Sequence, residues 1–124
     1  MSIVMPDKTE HLNQARHNHD FWTSYDPSTT PYVDWVVTGL FYESVHLIEA
    51  YLSVYGEHSG GHPDRLRSIR RHRNEIGSIR QDYELLKTES ENARYQCFKH
   101  QPTDITNDLI PVLDSIKSTI EVFV

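Results

Sequence analysis

Between Trp35 and Leu52, apolar residues recur on almost every side of a helix. One seam runs Val37, Phe41, Val45, Ile48, Leu52 and Tyr55, and a second runs Val36, Leu40, Leu47, Tyr51 and Val54. Between the seams lies a narrow strip of small or polar residues: Gly39, Tyr42, Glu43, His46, Ala50 and Ser53. A helix apolar on most sides belongs in the middle of a bundle, so its remaining polar residues, Tyr42, Glu43, His46 and Glu49, demand partners or a function. Thr30 as N-cap, Pro31 at the first helical position and Asp34 in the first turn predict a start near residue 31. Gly56 predicts the stop, near residue 55.

The flanking segments follow the same period. Asp7 with Glu10 forms a capping box, which predicts a first helix reaching about Tyr25 and burying Leu12, Ala15 and Trp22. Asp26-Pro27 and the Ser-Thr-Thr run after it predict a loop. Gly60-Gly61 predicts a turn, and His62-Pro63-Asp64 opens a short third helix. Asn74 and Gly77 mark either a break before the fourth helix or a bend in one continuous helix. The spacing Ile76, Ile79, Tyr83, Leu86, Ala93, Cys97 predicts a seam that makes Cys97 a core residue, with Pro102 ending the helix. Ile105, Leu109, Val112, Leu113, Ile116, Ile120 and Phe123 predict the last helix, in which Pro111 implies a kink or a late start. No run alternates as a half-buried strand would. The expectation is an all-α, up-and-down bundle of four to five helices forming one domain over residues 1–124.

Composition narrows the class. A chain of 124 residues can bury one continuous core, and 37% hydrophobic with 24% charged residues suits a soluble domain. No apolar run approaches the roughly 18 residues that span a bilayer, so no membrane association is expected. Asp7, Lys8 and Glu10 speak against a secretory leader over residues 1–10. The single cysteine fits a reducing compartment, and a cytoplasmic location is expected.

Charge adds more through its distribution than through its sum of −6. Residues 65–80 hold six arginines (65, 67, 70, 71, 73 and 80) against one acid, Glu75. A single basic patch on an acidic body is the footprint expected for a phosphate-bearing ligand or an acidic partner. The same arginines could instead neutralise acidic helices packed beside them.

Candidate chemistry is sparse. Arg67 and His72 stand five positions apart, about 140° around a helix, so one chain would not converge them, although two chains at an interface could. An imidazole and a guanidinium together could support metal-free RNA cleavage through the 2′-hydroxyl. Glu43-Ser-Val-His46 matches the Glu-x-x-His spacing of di-iron bundles, but such sites need a second pair, and the chain has none. A site drawn from His11, His19, His46, His58 and His62 has no diagnostic spacing, so neither metal nor cofactor is expected, and a helical-bundle metalloprotein stays the remote alternative. Phosphate-binding glycine loops and the Gly-x-Ser-x-Gly elbow are absent from the sequence. Among the aromatics, Tyr25 and Tyr32 are the ones expected outside the seams.

Several spaced motifs resemble the HEPN family, the nucleotide-binding helical domains of higher eukaryotes and prokaryotes. They are Phe41-Tyr42-x-x-x-His46, Ala50-Tyr51-Leu52, the turn ending at His62, and Tyr83-x-x-Leu86-x-x-x-Ser90-x-x-Ala93-Arg94-Tyr95. His11-Leu-x-x-Ala15-x-x-Asn18 with Asp34-Trp35 is similar to one bacterial and archaeal branch, and the likeness covers roughly residues 10 to 100. The resemblance implies a helical bundle that is commonly a homodimer, which Gly39, Ala50 and Ser53 would allow through close helix approach. Many members are ribonucleases or toxins carrying Arg-x-x-x-x-His, often paired with a nucleotidyltransferase antitoxin, and others are noncatalytic modules associated with RNA or nucleotides. Here Ser68 follows Arg67 where nuclease members carry a polar Asn, Asp or His, and the pair falls on the third helix rather than later. Both departures count against nuclease activity. The resemblance also marks Asn18, His46, Glu49, His62, Arg65, Arg94 and Tyr95 as residues that either line one pocket or cross-link the helices as a polar core, with Arg94 expected on Glu49 or Glu43. The leading expectation is a noncatalytic, dimeric module that contacts RNA, a nucleotide or an acidic partner through His62, Arg65, Arg70, Arg71 and Arg73. The alternative is a metal-independent endoribonuclease with Arg67 and His72 as its catalytic pair.

Overall fold

A computed structural model describes residues 4–124, so residues 1–3 of the single-domain and leader readings lie outside the described residues. The chain is all-helical, with no strand among the described residues. Helix α1 (Lys8–Thr23) opens on the expected capping box: the Glu10 amide donates to Asp7 Oδ1 at 2.8 Å and the Asp7 amide to Glu10 Oε1 at 3.2 Å. It buries His11, Ala15 and Trp22 against α2 (Val33–Val54). Helix α2 starts later than its sequence suggests. The Thr30 hydroxyl accepts the Tyr32 amide at 3.0 Å, closing a local turn instead of capping the helix.

From Val36 to Leu52, every residue of α2 except Tyr42 and His46 is buried, which places this helix at the centre of the bundle. Helices α1, α5 (Arg80–Tyr95) and α7 (Ile110–Glu121) pack around it. Gly39 permits the tightest approach, since a Cβ there would stand 3.0 Å from Trp22 Cβ and 3.2 Å from Phe21 Cδ1. Gly39 and Ala50 are therefore spent inside the chain and do not form a surface seam for a second copy.

Helix α3 (His62–Arg71) breaks at His72 into the single turn α4 (Arg73–Ile76) and a 3₁₀ turn (Gly77–Ile79) before α5. Helix α5 ends at Tyr95, well short of Pro102. Cys97 adopts a left-handed backbone with φ 55°, and the Phe98 amide turns back onto the Asn92 carbonyl at 3.1 Å. Cys97 is consequently exposed, not core: the helix that would have aimed it inward has already ended. The final helical run comprises α6 (Pro102–Asp104), a wider π-type turn (Ile105–Leu109) and α7. Pro111, at the second position of α7, lacks the N–H a regular turn requires, and the wide turn before it accommodates the ring. Leu113, Ile116 and Ile120 close the core. No helix of the described residues is long and apolar enough to cross a membrane.

Candidate functional site

Helix α3 has two chemically different faces. Arg65, Ser68 and Ile69 are buried and His72 is half-buried, at the three-four spacing of one helix face. Arg67, Arg70 and Arg71 stand exposed on the opposite face, continued by Arg73 on α4. Arg65 therefore leaves the ligand-contacting arginines and joins the polar core, the other place that the resemblance marked for it. Its position four residues before Ile69 puts it on the arc that Ile69 draws into the core, a signal the periodicity did contain.

Arg65 braces α3 to the bundle. Its Nη1 donates to Tyr83 Oη at 2.8 Å and to His62 Nδ1 at 3.1 Å, while Nε lies 3.6 Å from Glu49 Oε2, leaving that buried N–H without a hydrogen-bond acceptor among the described residues. The Tyr83 hydroxyl sits 2.8 Å from His62 Nδ1, and with Arg65 able only to donate, Nδ1 is the acceptor of both. Burial first, then Arg65 and Lys87, holds His62 below its ordinary pKa. Burial also raises the Tyr83 hydroxyl, with Arg65 opposing. Glu49 is 4% exposed and accepts from the Ser59 amide at 3.1 Å and from its hydroxyl at 2.8 Å. A carboxylate this deep requires these donors and the guanidinium beside it.

Behind Glu49, His11 of α1 meets His46 of α2 with their Nδ1 atoms 3.1 Å apart, one donating and one accepting. The ring of His58 stacks on His11 with centroids 6.4 Å apart, and its Nδ1 lies 3.7 Å from Glu49 Oε1. Burial, then His11 and Arg65, pushes His46 down to about 4, with Glu49 pulling the other way. Burial lowers His11 as well. Among the described residues, no group of three or more His, Cys, Asp or Glu side chains is disposed to hold a metal ion.

Glu43 is the second buried carboxylate of α2. Its Oε1 accepts from Trp22 Nε1 at 2.7 Å and from His19 Nδ1 at 2.9 Å, and Lys117 Nζ stands 3.4 Å from Oε2. Glu43 and His46 thus hold α1 through different partners and do not converge as the two ends of one metal ligand pair. Sequence reasoning missed Trp22, His19 and Lys117 as partners because all lie at least 21 residues away along the chain.

The remaining candidates separate. Arg67 points outward and meets Asp64 at 3.3 Å, whereas the His72 ring packs on Tyr51 and Tyr55 and shares a 2.8 Å contact with Glu57. One chain does not bring Arg67 and His72 together. Arg94 does not reach Glu43 or Glu49. It donates to Tyr42 Oη at 3.2 Å and to Ser90, and its guanidinium lies over the rings of Tyr42 and Tyr95 at 5.6 and 5.0 Å. Arg65 occupies the place beside Glu49 instead. Tyr95 is exposed, and Asn18 is half-buried with no side-chain hydrogen bond among the described residues.

Glu75, the acid inside the arginine-rich segment, accepts the hydroxyls of Tyr51 and Tyr55, and these two bonds lower its pKa. Arg71 comes within 3.7 Å of Glu57, and Arg80 within 3.2 Å of Glu84. Arg70 and Arg73 form no ion pair among the described residues. The outcome is an exposed guanidinium ridge on a helix that is anchored from behind.

Comparison of the chain with protein-family models, with curated proteins and with solved structures finds no match.

Proposed function

We propose that the protein is a noncatalytic, HEPN-like binding module whose α3–α4 ridge contacts the phosphates of RNA. The observation that carries this reading is the division of α3. Arg65 anchors the helix inward, while Arg67, Arg70, Arg71 and Arg73 stand exposed along one edge. Exposed ion pairs such as Arg67–Asp64 are weakened by solvent screening and exchange readily for a phosphate. The homodimer belongs to the same proposal, as an expectation from the resemblance, and sedimentation of the purified chain tests it.

Salt dependence of RNA binding tests the ridge. Single-stranded RNA should bind with an affinity that falls as salt rises. Replacing Arg67, Arg70, Arg71 and Arg73 by Ala should flatten the log–log slope by about 3, since each lost phosphate contact removes about 0.7. An unchanged slope and affinity in the fourfold variant would refute the ridge. RNA cleavage by the wild type that His72→Ala abolishes would replace the binding reading with the nuclease one.

A further inference from the structure

Glu43 takes no part in the ridge, and it forms the floor of a separate cavity. Helices α1 and α7 both pack on α2 and scarcely touch each other, which leaves a slot between them. Its volume is about 240 Å³. At the roughly 30 Å³ that one water takes in the liquid, that is room for about eight heavy atoms. Leu12 and Ala15 of α1 and Leu47 of α2 supply apolar walls. Glu43, Glu121, Arg16 and Lys117 supply the charged side chains of the lining, two of each sign.

The carboxylate of Glu43 spans this slot. Its Oε1 is turned to α1, where Trp22 Nε1 donates at 2.7 Å and His19 Nδ1 stands at 2.9 Å. Its Oε2 is turned to α7, where Lys117 Nζ stands at 3.4 Å. That distance lies beyond the roughly 2.7–3.2 Å of a well-formed N–H···O bond, and Oε2 accepts no other donor among the described residues. A buried carboxylate oxygen without a short donor is poorly compensated for the water it has lost. Lys117, its side chain 36% exposed, reaches in from the rim. Arg16 stands exposed on the same lining and forms no ion pair among the described residues.

We infer that this slot binds a small zwitterion with an apolar body, the class of the aliphatic α-amino acids. The ligand's ammonium donates to Glu43 Oε2 in place of Lys117. Lys117, so released, and Arg16 take the ligand's carboxylate at the rim, and the aliphatic chain lies along Leu12, Ala15 and Leu47. The signs of the lining charges select this class. A simple anion would set its charge against Glu43, and a simple cation would displace Lys117 without giving it a new partner. A molecule that carries both charges leaves each of these groups paired. Leucine is of the size the slot admits.

Trp22 reports occupancy locally, because its indole N–H is bonded to the same carboxylate. The other tryptophan, Trp35, is exposed, and Trp35→Phe assigns the two indole signals. The test follows those N–H signals by heteronuclear NMR with increasing L-leucine, leucinamide, isocaproate or glycine. L-leucine should shift the Trp22 signal saturably and leave that of Trp35 in place. Leucinamide lacks the carboxylate, isocaproate lacks the amine and glycine lacks the apolar chain. Each should bind about tenfold more weakly, the cost of losing one charge-assisted hydrogen bond or the apolar contact. Glu43→Gln should abolish the preference for leucine over isocaproate, and Lys117→Ala with Arg16→Ala its preference over leucinamide. Arg16→Ala alone alters an exposed residue and should reduce the second preference without unfolding the chain. No movement of the Trp22 signal at millimolar leucine would overturn the inference. So would equal affinity for leucine, leucinamide and isocaproate, or preferences that survive all the substitutions. Failure of RNA binding at the ridge leaves this result unaffected, because the ridge arginines do not line the slot.

Discussion

Acid should loosen this protein well above the pH at which its carboxylates protonate, and His46 is the main reason. In the unfolded chain its imidazole titrates near 6.5, whereas in the fold burial, His11 and Arg65 hold it to about 4. Well above pH 6.5 both states are neutral and the contribution is complete. As pH falls from 6.5 towards 4, the unfolded chain takes up a proton that the folded chain refuses, and stability drains away. A difference from 6.5 to about 4 corresponds to about 3 kcal/mol in all, of which about 2 kcal/mol is lost by pH 5. His11 and His62 are also lowered and act in the same direction. Geometry gives the same sign: the 3.1 Å contact between His11 and His46 needs one ring nitrogen to accept, and a doubly protonated pair has no acceptor. Urea unfolding followed by circular dichroism at pH 7, 6 and 5 measures the effect. His46→Gln should start less stable at pH 7 yet lose about 2 kcal/mol less than wild type on going to pH 5. Parallel stability–pH curves for the two proteins would refute the account.

Other perturbations probe the packing. Arg65→Met or Glu49→Gln should each cost about 3–5 kcal/mol, because each strands the other buried group. The double variant should cost clearly less than the sum in denaturant titrations, and strict additivity would mean the two do not interact. Gly39→Ala forces a methyl to within 3.0 Å of Trp22 Cβ and should cost about 1–3 kcal/mol. The displaced indole should also show as a shift in tryptophan fluorescence, and an unperturbed variant would show that α1 gives way freely.

Much of the helical framework was legible because helix formation is governed by neighbours a few residues apart. The Asp7–Glu10 box, the all-round apolar run of α2 and the stop at Gly56 each depend on local spacing, and each is where the sequence placed it. Errors arose where a local hydrogen bond outcompeted the pattern. Thr30 spent its hydroxyl on Tyr32, and the Phe98 amide folded back to end α5 before Cys97 could turn inward. Cys97 looked like a core residue because periodicity carries no mark of where a helix stops.

By itself, then, the sequence determined an all-helical chain, the central place of α2 and the crowding of arginines after the double glycine. Only the tertiary structure decided which charges face water. Arg65 turned inward to Glu49 and Tyr83, Glu43 found Trp22 and Lys117, His11 found His46, and Arg94 met no carboxylate among the described residues. The physical reason is that a buried charge is tolerable only beside its complement. Most of these complements stand eighteen or more residues away in the chain, brought together only when the helices pack.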